Sequence, residues 1–213
     1  MADLILYTHP MSRGRIARWM MEEAGRPYEA RIVNYGAEMK GAQYRAINPL
    51  GKVPSLVHGG MVVTEGAAIC AYMADLAVDA RLAPPIGTPE RGVYYRWLFF
   101  GAGPLEAGVV AASFGFDTKD DTAYSRAGWG SLPAVVDALE GLFADGRDYV
   151  LGEHFSAVDV YLGAQIAWGL QFGTIETRPG FADYVTRITA RPAAIRAAEI
   201  DDALLAEAQK DGA

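Results

Sequence analysis

Two short segments hold the side chains whose types and spacing could do chemistry. The first runs from Tyr7 to Ser12 (YTHPMS) and gathers a phenol, an imidazole and a hydroxyl just before a helix-forming stretch. A serine where a helix begins can turn both its hydroxyl and the helix's unsatisfied amides toward one anion. The same position also suits a plain N-cap, and the two roles are compatible. The second segment is Asn48 to Leu76, NPLGKVPSLVHGGMVVTEGAAICAYMADL. In it, a proline-marked strand edge at Val53-Pro54 and an acid-led helix start at Glu65-Gly66 fall within one compact unit. Such a unit can hold a small zwitterion, with backbone amides for a carboxylate and an acid for an ammonium. Cys70 lies several residues inside that helix, beyond the terminal field, and reads as a small core residue rather than a nucleophile.

The elements that must position these residues follow from pattern. Leu4-Ile5-Leu6-Tyr7 reads as a buried strand ended by the Thr8-His9-Pro10 turn. A helix from about Ser12 to Glu23 follows, with Ile16, Trp19 and Met20 on one face and Gly25 closing it. Tyr28 to Val33 is a second strand, and residues 34–47 form a polar segment with at most one helix. Asn48-Pro49-Leu50-Gly51 is turn chemistry. Pro54 donates no ladder hydrogen bond, so the run from Val53 to Val57 starts its strand there or lies at an edge. His58-Gly59-Gly60 makes a hairpin to Met61–Val63, after which Thr64 caps a helix beginning at Glu65. The stretch 79–89, with Pro84, Pro85, Gly87 and Pro89, breaks regular structure and serves as a linker. Everything beyond it has helical spacing. Arg91 to Phe100 is kinked or ended by Gly101, Gly103 and Pro104, and Leu132 to Phe143 forms a second long helix. Ser156-x-x-Asp159 has capping-box spacing ahead of a third, and Asp183–Ala190 and Pro192–Ala198 complete a bundle.

The order of proline-marked strand, hairpin and Thr-Glu-Gly helix, with NPLGKVP before it, resembles the glutathione-binding domain of the cytosolic glutathione S-transferases. Length and the helical second half extend the resemblance over the whole chain, and the active-serine spacing after a Leu-Tyr strand end is similar to that of the serine-type members. The fold implied is an α/β thioredoxin-like domain over residues 1–78, a linker at 79–89 and an all-α helical bundle over 90–213. Glutathione is implied as co-substrate, with no metal. On this resemblance Val53 offers its backbone to the cysteinyl residue across a cis Val53–Pro54 bond. Glu65 takes the γ-glutamyl ammonium, the Gly66 amide takes its carboxylate, and Lys52 either takes the glycyl carboxylate or is simply solvated. The family usually carries Ser or Thr where Gly66 stands, so a weaker hold on glutathione is expected here.

Ionising the thiol at neutral pH means lowering its pKa by about two units, roughly 2.7 kcal/mol. A hydroxyl bonded to the thiolate gives about 1.5–3 kcal/mol, and a helix N-terminus adds about 0.3–1. Ser12 meets both conditions. Tyr7 is its rival, since other classes use a tyrosine near the end of this strand, and His9 is a further candidate. Arg13 and Arg15 either steer the anion or are solvated. A pocket for the second substrate is expected between the domains, with Met11, Tyr94, Leu98, Phe99, Phe114 and Phe116 as candidate lining. Apolar lining suits conjugation of the thiolate to a small hydrophobic electrophile, the detoxifying reaction. Peroxide reduction, dehalogenation, isomerisation, ligandin-like carriage and a non-catalytic glutathione-binding or regulatory role are the alternatives.

Bulk properties narrow the rest. A net charge of −7 makes nucleic acid a poor partner. No apolar run approaches the roughly 18 residues that span a bilayer, and the first residues lack a basic n-region and a cleavage site. One cysteine excludes an internal disulfide. Cytoplasmic residence and, from the resemblance, a homodimer are expected.

Overall fold

The computed structural model describes residues 3–116 and 121–211. The chain divides into two compact units, residues 1–82 with 190–213 and residues 83–189. The first unit is built on a four-stranded sheet of β1 (Leu4–Thr8), β2 (Glu29–Ile32), β3 (Ser55–His58) and β4 (Met61–Thr64), in the order β2-β1-β3-β4. β1 runs parallel to β2, β3 is antiparallel to β1, and β4 is antiparallel to β3. The β3–β4 hairpin turns on Gly59 and Gly60 at φ 54° and 86°, the positive values a two-residue loop of this twist needs. This is the expected thioredoxin-like arrangement.

Alternation along β1 sends Leu4, Leu6 and Thr8 to one face, where they are buried, and Ile5 and Tyr7 to the other. The buried face is covered by α1 (Gly14–Ala24) and α4 (Gly66–Leu76), which pack on each other. Ile16, Met20, Leu56, Ile69, Cys70 and Met73 complete this core. Two four-residue helices, α2 (Ala37–Lys40) and α3 (Ala42–Arg45), stand where at most one was expected. Their Met39 and Tyr44 form a second buried cluster with Val33, against which Tyr7, Ile47 and Val53 pack.

Unit two carries α5 (Pro89–Phe100), α6 (Glu106–Ser113), α7 (Asp121–Arg126), α8 (Leu132–Phe143), α9 (Ala157–Phe172) and α10 (Phe181–Thr189). Thr88 caps α5 by accepting the Arg91 N–H, and Pro89 sits at its first turn. The glycines and Pro104 do not end the chain's helical course. They widen it into a π-helical turn, Gly101–Leu105, that leads straight into α6. Asp159 at the start of α9 is fully buried and accepts from the Val150 and Ser156 amides, the Ser156 hydroxyl and the Tyr184 hydroxyl. Burial pushes its carboxyl up to about 6, against the pull of those four donors. Among the described residues no helix is long and apolar enough to cross a membrane.

The last helix, α11 (Pro192–Asp211), is far longer than the expected run to Ala198. It also belongs with the first unit rather than closing the bundle of the second, because it packs along α1. Three ion pairs join the two helices, Arg15–Asp202, Arg18–Asp201 and Glu22–Arg196, and Arg191, just ahead of α11, adds a fourth with Glu23. The Arg18–Asp201 pair is 2.9 Å long with side chains only 2% and 1% exposed, and Arg18 also donates to the Tyr28 hydroxyl.

Candidate functional site

Register alone brings three segments to one end of the sheet. Tyr7 pairs with Ser55, and Ser55 pairs with Thr64. The turn leaving β1, the Val53-Pro54 approach to β3 and the Glu65-Gly66 exit from β4 therefore share an edge. Strands lie about 4.8 Å apart, so β1 to β4 spans roughly 10 Å. An extended tripeptide is of about that length, at some 3.3–3.6 Å per residue.

At the β1 corner, Ser12 folds back on its own turn. Its amide and its hydroxyl both donate to the His9 carbonyl, at 3.1 and 2.6 Å. Its Oγ in turn accepts the Gly14 N–H at 2.9 Å. The helix thus begins at Gly14, two residues later than expected, and Ser12 reaches forward to its first amide. Gly14 has to be a glycine here, since a Cβ would collide with Thr8 Oγ1 and crowd the Ser12 hydroxyl. The turn is braced from outside by Tyr35, whose hydroxyl donates to the Met11 carbonyl (2.9 Å), and by Arg15, which donates to the Pro10 carbonyl (3.3 Å). His9 Nδ1 accepts the Met11 N–H at 3.1 Å, which fixes the neutral ring's proton on Nε2. Burial holds the His9 imidazole below its ordinary pKa, opposed by the charge of Asp201.

The middle segment is held from behind. Asn48 accepts the Gly51 N–H on its backbone carbonyl (2.8 Å) and the Leu50 N–H on its side chain (3.1 Å). Its amide nitrogen and the Tyr44 hydroxyl both donate to the Lys52 carbonyl, at 2.8 and 2.7 Å. Tyr44 has a single hydrogen and gives it to Lys52, so the buried Ser55 hydroxyl must donate to Tyr44 across 2.9 Å. Lys40 Nζ closes the arrangement on the carbonyls of Leu50 and Gly51. The Val53–Pro54 bond is cis. The N–H and C=O of Val53 bond no other group among the described residues, which leaves an open strand edge. The Lys52 side chain is exposed beside it.

At the β4 corner the expected cap is corrected. Thr64 pairs with Ser55 as the last residue of β4, so strand pairing claims it and its side chain caps nothing. Glu65 is the residue before α4, exposed, at φ 64° and ψ 118°, a conformation that costs an L-residue about 1–3 kcal/mol. Gly66 opens the helix with its amide.

Other candidates fall elsewhere. Tyr7 lies on the opposite sheet face from Thr8 and the Ser12 turn. Its hydroxyl accepts from Arg31 Nη1 at 2.9 Å, and its ring stands 5.8 Å from that of Tyr44. Strand alternation thus takes its phenol away from the corner where Ser12 sits. Met11 is 69% exposed in the Ser12 turn, and Phe99, Phe114 and Phe116 are exposed in unit two. Tyr94 and Leu98 are 0% and 2% exposed; they are buried side chains rather than lining for a second substrate. Cys70 is buried, and burial alone pushes its thiol far up. Sequence reasoning missed Lys40, Tyr44 and Ser55 as supports. Asn48 was within reach, because an Asn ahead of Pro and Gly is a turn-forming side chain.

Comparison with known proteins bears on the fold and the family of this chain. Residues 11–76 match the family described as glutathione S-transferase, N-terminal domain, and residues 121–187 match glutathione S-transferase, C-terminal domain. The glutathione S-transferase GstA of Escherichia coli O157:H7 is 30% identical over 172 residues, 80% of this chain and 81% of that protein. A crystal structure of a glutathione transferase from Methylococcus capsulatus superposes with a TM-score of 0.78 at 29% identity, covering 93% of this chain and 98% of that one. A sphingomonad glutathione S-transferase complexed with glutathione superposes with a TM-score of 0.74 at 27% identity, covering 93% and 98%.

Proposed function

The chain belongs to the glutathione S-transferase family, and from that premise we propose that it conjugates the glutathione thiolate to small hydrophobic electrophiles, with Ser12 stabilising the thiolate. The observation that carries the reading is the Ser12 hydroxyl at the head of α1, on the sheet edge it shares with Val53, Glu65 and Gly66. The cysteinyl main chain pairs with the open Val53 edge, the γ-glutamyl ammonium meets Glu65, and its carboxylate meets the Gly66 amide at the α4 N-terminus. Lys52 lies beside that edge for the glycyl carboxylate.

The Ser12 proton rests on the His9 carbonyl when no anion is near. Rotation about the Cβ–Oγ bond redirects it to the sulfur while the Gly14 N–H keeps the oxygen in place. The thiol proton goes to solvent. The ionised sulfur then attacks an electrophilic carbon, a C–S bond forms, and the leaving group departs with the electron pair or solvent protonates the adduct. A hydroxyl bonded to an anion, with the helix terminus behind it, supplies about 2–4 kcal/mol, enough to lower the thiol pKa by the two units required. Assembly as a homodimer belongs to the same reading and is checked by sedimentation.

The test is the absorbance of bound thiolate near neutral pH in the parent and in Ser12→Ala. A band in the parent that is lost in the variant, with glutathione still bound, supports the proposal. Binding without a band favours a non-catalytic glutathione-binding module, and a band that survives the substitution moves the role to another group. Turnover with a halogenated nitroaromatic then tests electrophile conjugation against peroxide reduction.

A further inference from the structure

We propose that Thr8 is a positioning residue for the thiolate, its hydroxyl donating to Ser12 Oγ once Ser12 turns its own proton to the sulfur. Thr8 acts only through Ser12, so this role rests on the thiolate-stabilising part proposed for that serine.

Thr8 is 0% exposed, and its Oγ1 is buried with no hydrogen-bond partner among the described residues. Its main chain is pinned: Thr8 ends β1, pairs with Ile32 of β2, and accepts the Val33 N–H on its carbonyl at 2.9 Å. Strand alternation then turns the side chain to the face that α1 covers. A buried hydroxyl with no partner is costly, and folded proteins seldom carry one without a use. Its neighbours identify the use. A Cβ on Gly14 would meet Thr8 Oγ1 and, at 2.9 Å, Ser12 Oγ, so both oxygens border the same flank of Gly14.

A serine hydroxyl can accept two hydrogen bonds, and the Gly14 N–H supplies only one of them to Ser12, at 2.9 Å. While Ser12 donates to the His9 carbonyl at 2.6 Å, no bond joins the two hydroxyls. When that proton turns to a thiolate, the His9 carbonyl keeps the Ser12 N–H at 3.1 Å, so the move orphans nothing. The Ser12 oxygen becomes a better acceptor, and the unused Thr8 O–H is the donor beside it. The series Thr8 O–H to Ser12 Oγ, Ser12 O–H to sulfur is then complete. Each bond polarises the next, and no proton changes owner.

The test is the pKa of the thiol of bound glutathione, read from thiolate absorbance against pH in the full-length protein at saturating glutathione. Thr8→Val and Thr8→Ala are expected to raise it by about 0.4–1.1 units, the net worth of one hydrogen bond. Ala serves beside Val because it cannot crowd Gly14. Thr8→Ser restores the hydroxyl and keeps the parent's value. On a Ser12→Ala background the Thr8 substitutions change nothing further. An unshifted pKa in both Thr8→Val and Thr8→Ala, a shift in Thr8→Ser as large as theirs, or an additive shift on the Ser12→Ala background would each overturn the proposal while leaving Ser12 its role. A pKa that Ser12→Ala itself fails to raise would overturn the role of Ser12, and that of Thr8 with it.

Discussion

Glu65 is where backbone and chemistry pull against each other most openly. Its φ of 64° suits glycine, yet a carboxylate stands there, at the corner where an ammonium would dock. Glu65→Gly is therefore expected to raise stability in chemical denaturation by about 1 kcal/mol through relief of that conformation. The same change should weaken glutathione about tenfold or more by removing the anion. If affinity held while stability rose, the carboxylate would have no part in binding. Its neighbour works the other way. Gly66→Ser adds a hydroxyl beside the helix amide and is expected to tighten glutathione about two- to twelvefold, as one neutral hydrogen bond allows. His9 carries a pH dependence of definite sign. Its folded pKa lies below the ordinary 6.5, because burial disfavours the cation and Nδ1 is already an acceptor for Met11. The stability it contributes is therefore full above pH 6.5 and is lost as pH falls through 6.5 toward the folded value. His9→Ala should flatten that stretch of the stability profile, and the ring's NMR titration should centre below 6.5.

At the scale of elements, the site depends on side chains that never touch a substrate. Tyr44 ties α3 to the Lys52 carbonyl and to Ser55, on either side of the open Val53 edge. Tyr44→Phe keeps the ring in its buried cluster but leaves the Ser55 hydroxyl buried without its partner, at a cost of about 1–3 kcal/mol. Glutathione should bind more weakly in this variant while the pKa of its bound thiol stays put, because the Ser12 turn is untouched; a shifted pKa would mean that the two corners are coupled. This also shows where sequence reading stopped. β1, α8 and the Ser156 box were legible because alternation, helical spacing and capping chemistry are local. The local settings of Ser12, Val53, Glu65 and Gly66, proposed above to hold glutathione, were legible too, because a turn, a proline and a helix start mark them out. α2 and α3 were not, since four residues each cannot display a helical period and their helicity comes from the packing of Met39 and Tyr44. Tyr7 could not be placed from sequence for a related reason. Strand alternation shows that it and Thr8 face opposite ways, but not which way the site lies.

The whole molecule is discontinuous in sequence, and that was the least legible feature of all. The linker at 79–89 was visible from its prolines, and the two units do part near it, at Leu82 and Ala83. Nothing local shows that the chain returns to the first unit after Thr189. The signal is a buried charge, Asp201, whose partner Arg18 is 183 residues away. Removing residues 190–213 would strip α1 of its ion pairs to Asp202, Asp201, Arg196 and Arg191 and uncover Arg18, now 2% exposed. Breaking one buried pair typically costs about 3–5 kcal/mol, a large part of the margin of a domain. The shortened chain is therefore expected to lose the first unit's cooperative unfolding and its glutathione binding together, while unit two, whose residues all remain, keeps its helical signal on heating. Asp201→Ala in the full chain should reproduce most of the loss without deleting anything. A shortened chain that melted as the parent does and bound glutathione as tightly would show that α11 merely rests on α1, and that the first unit folds without it.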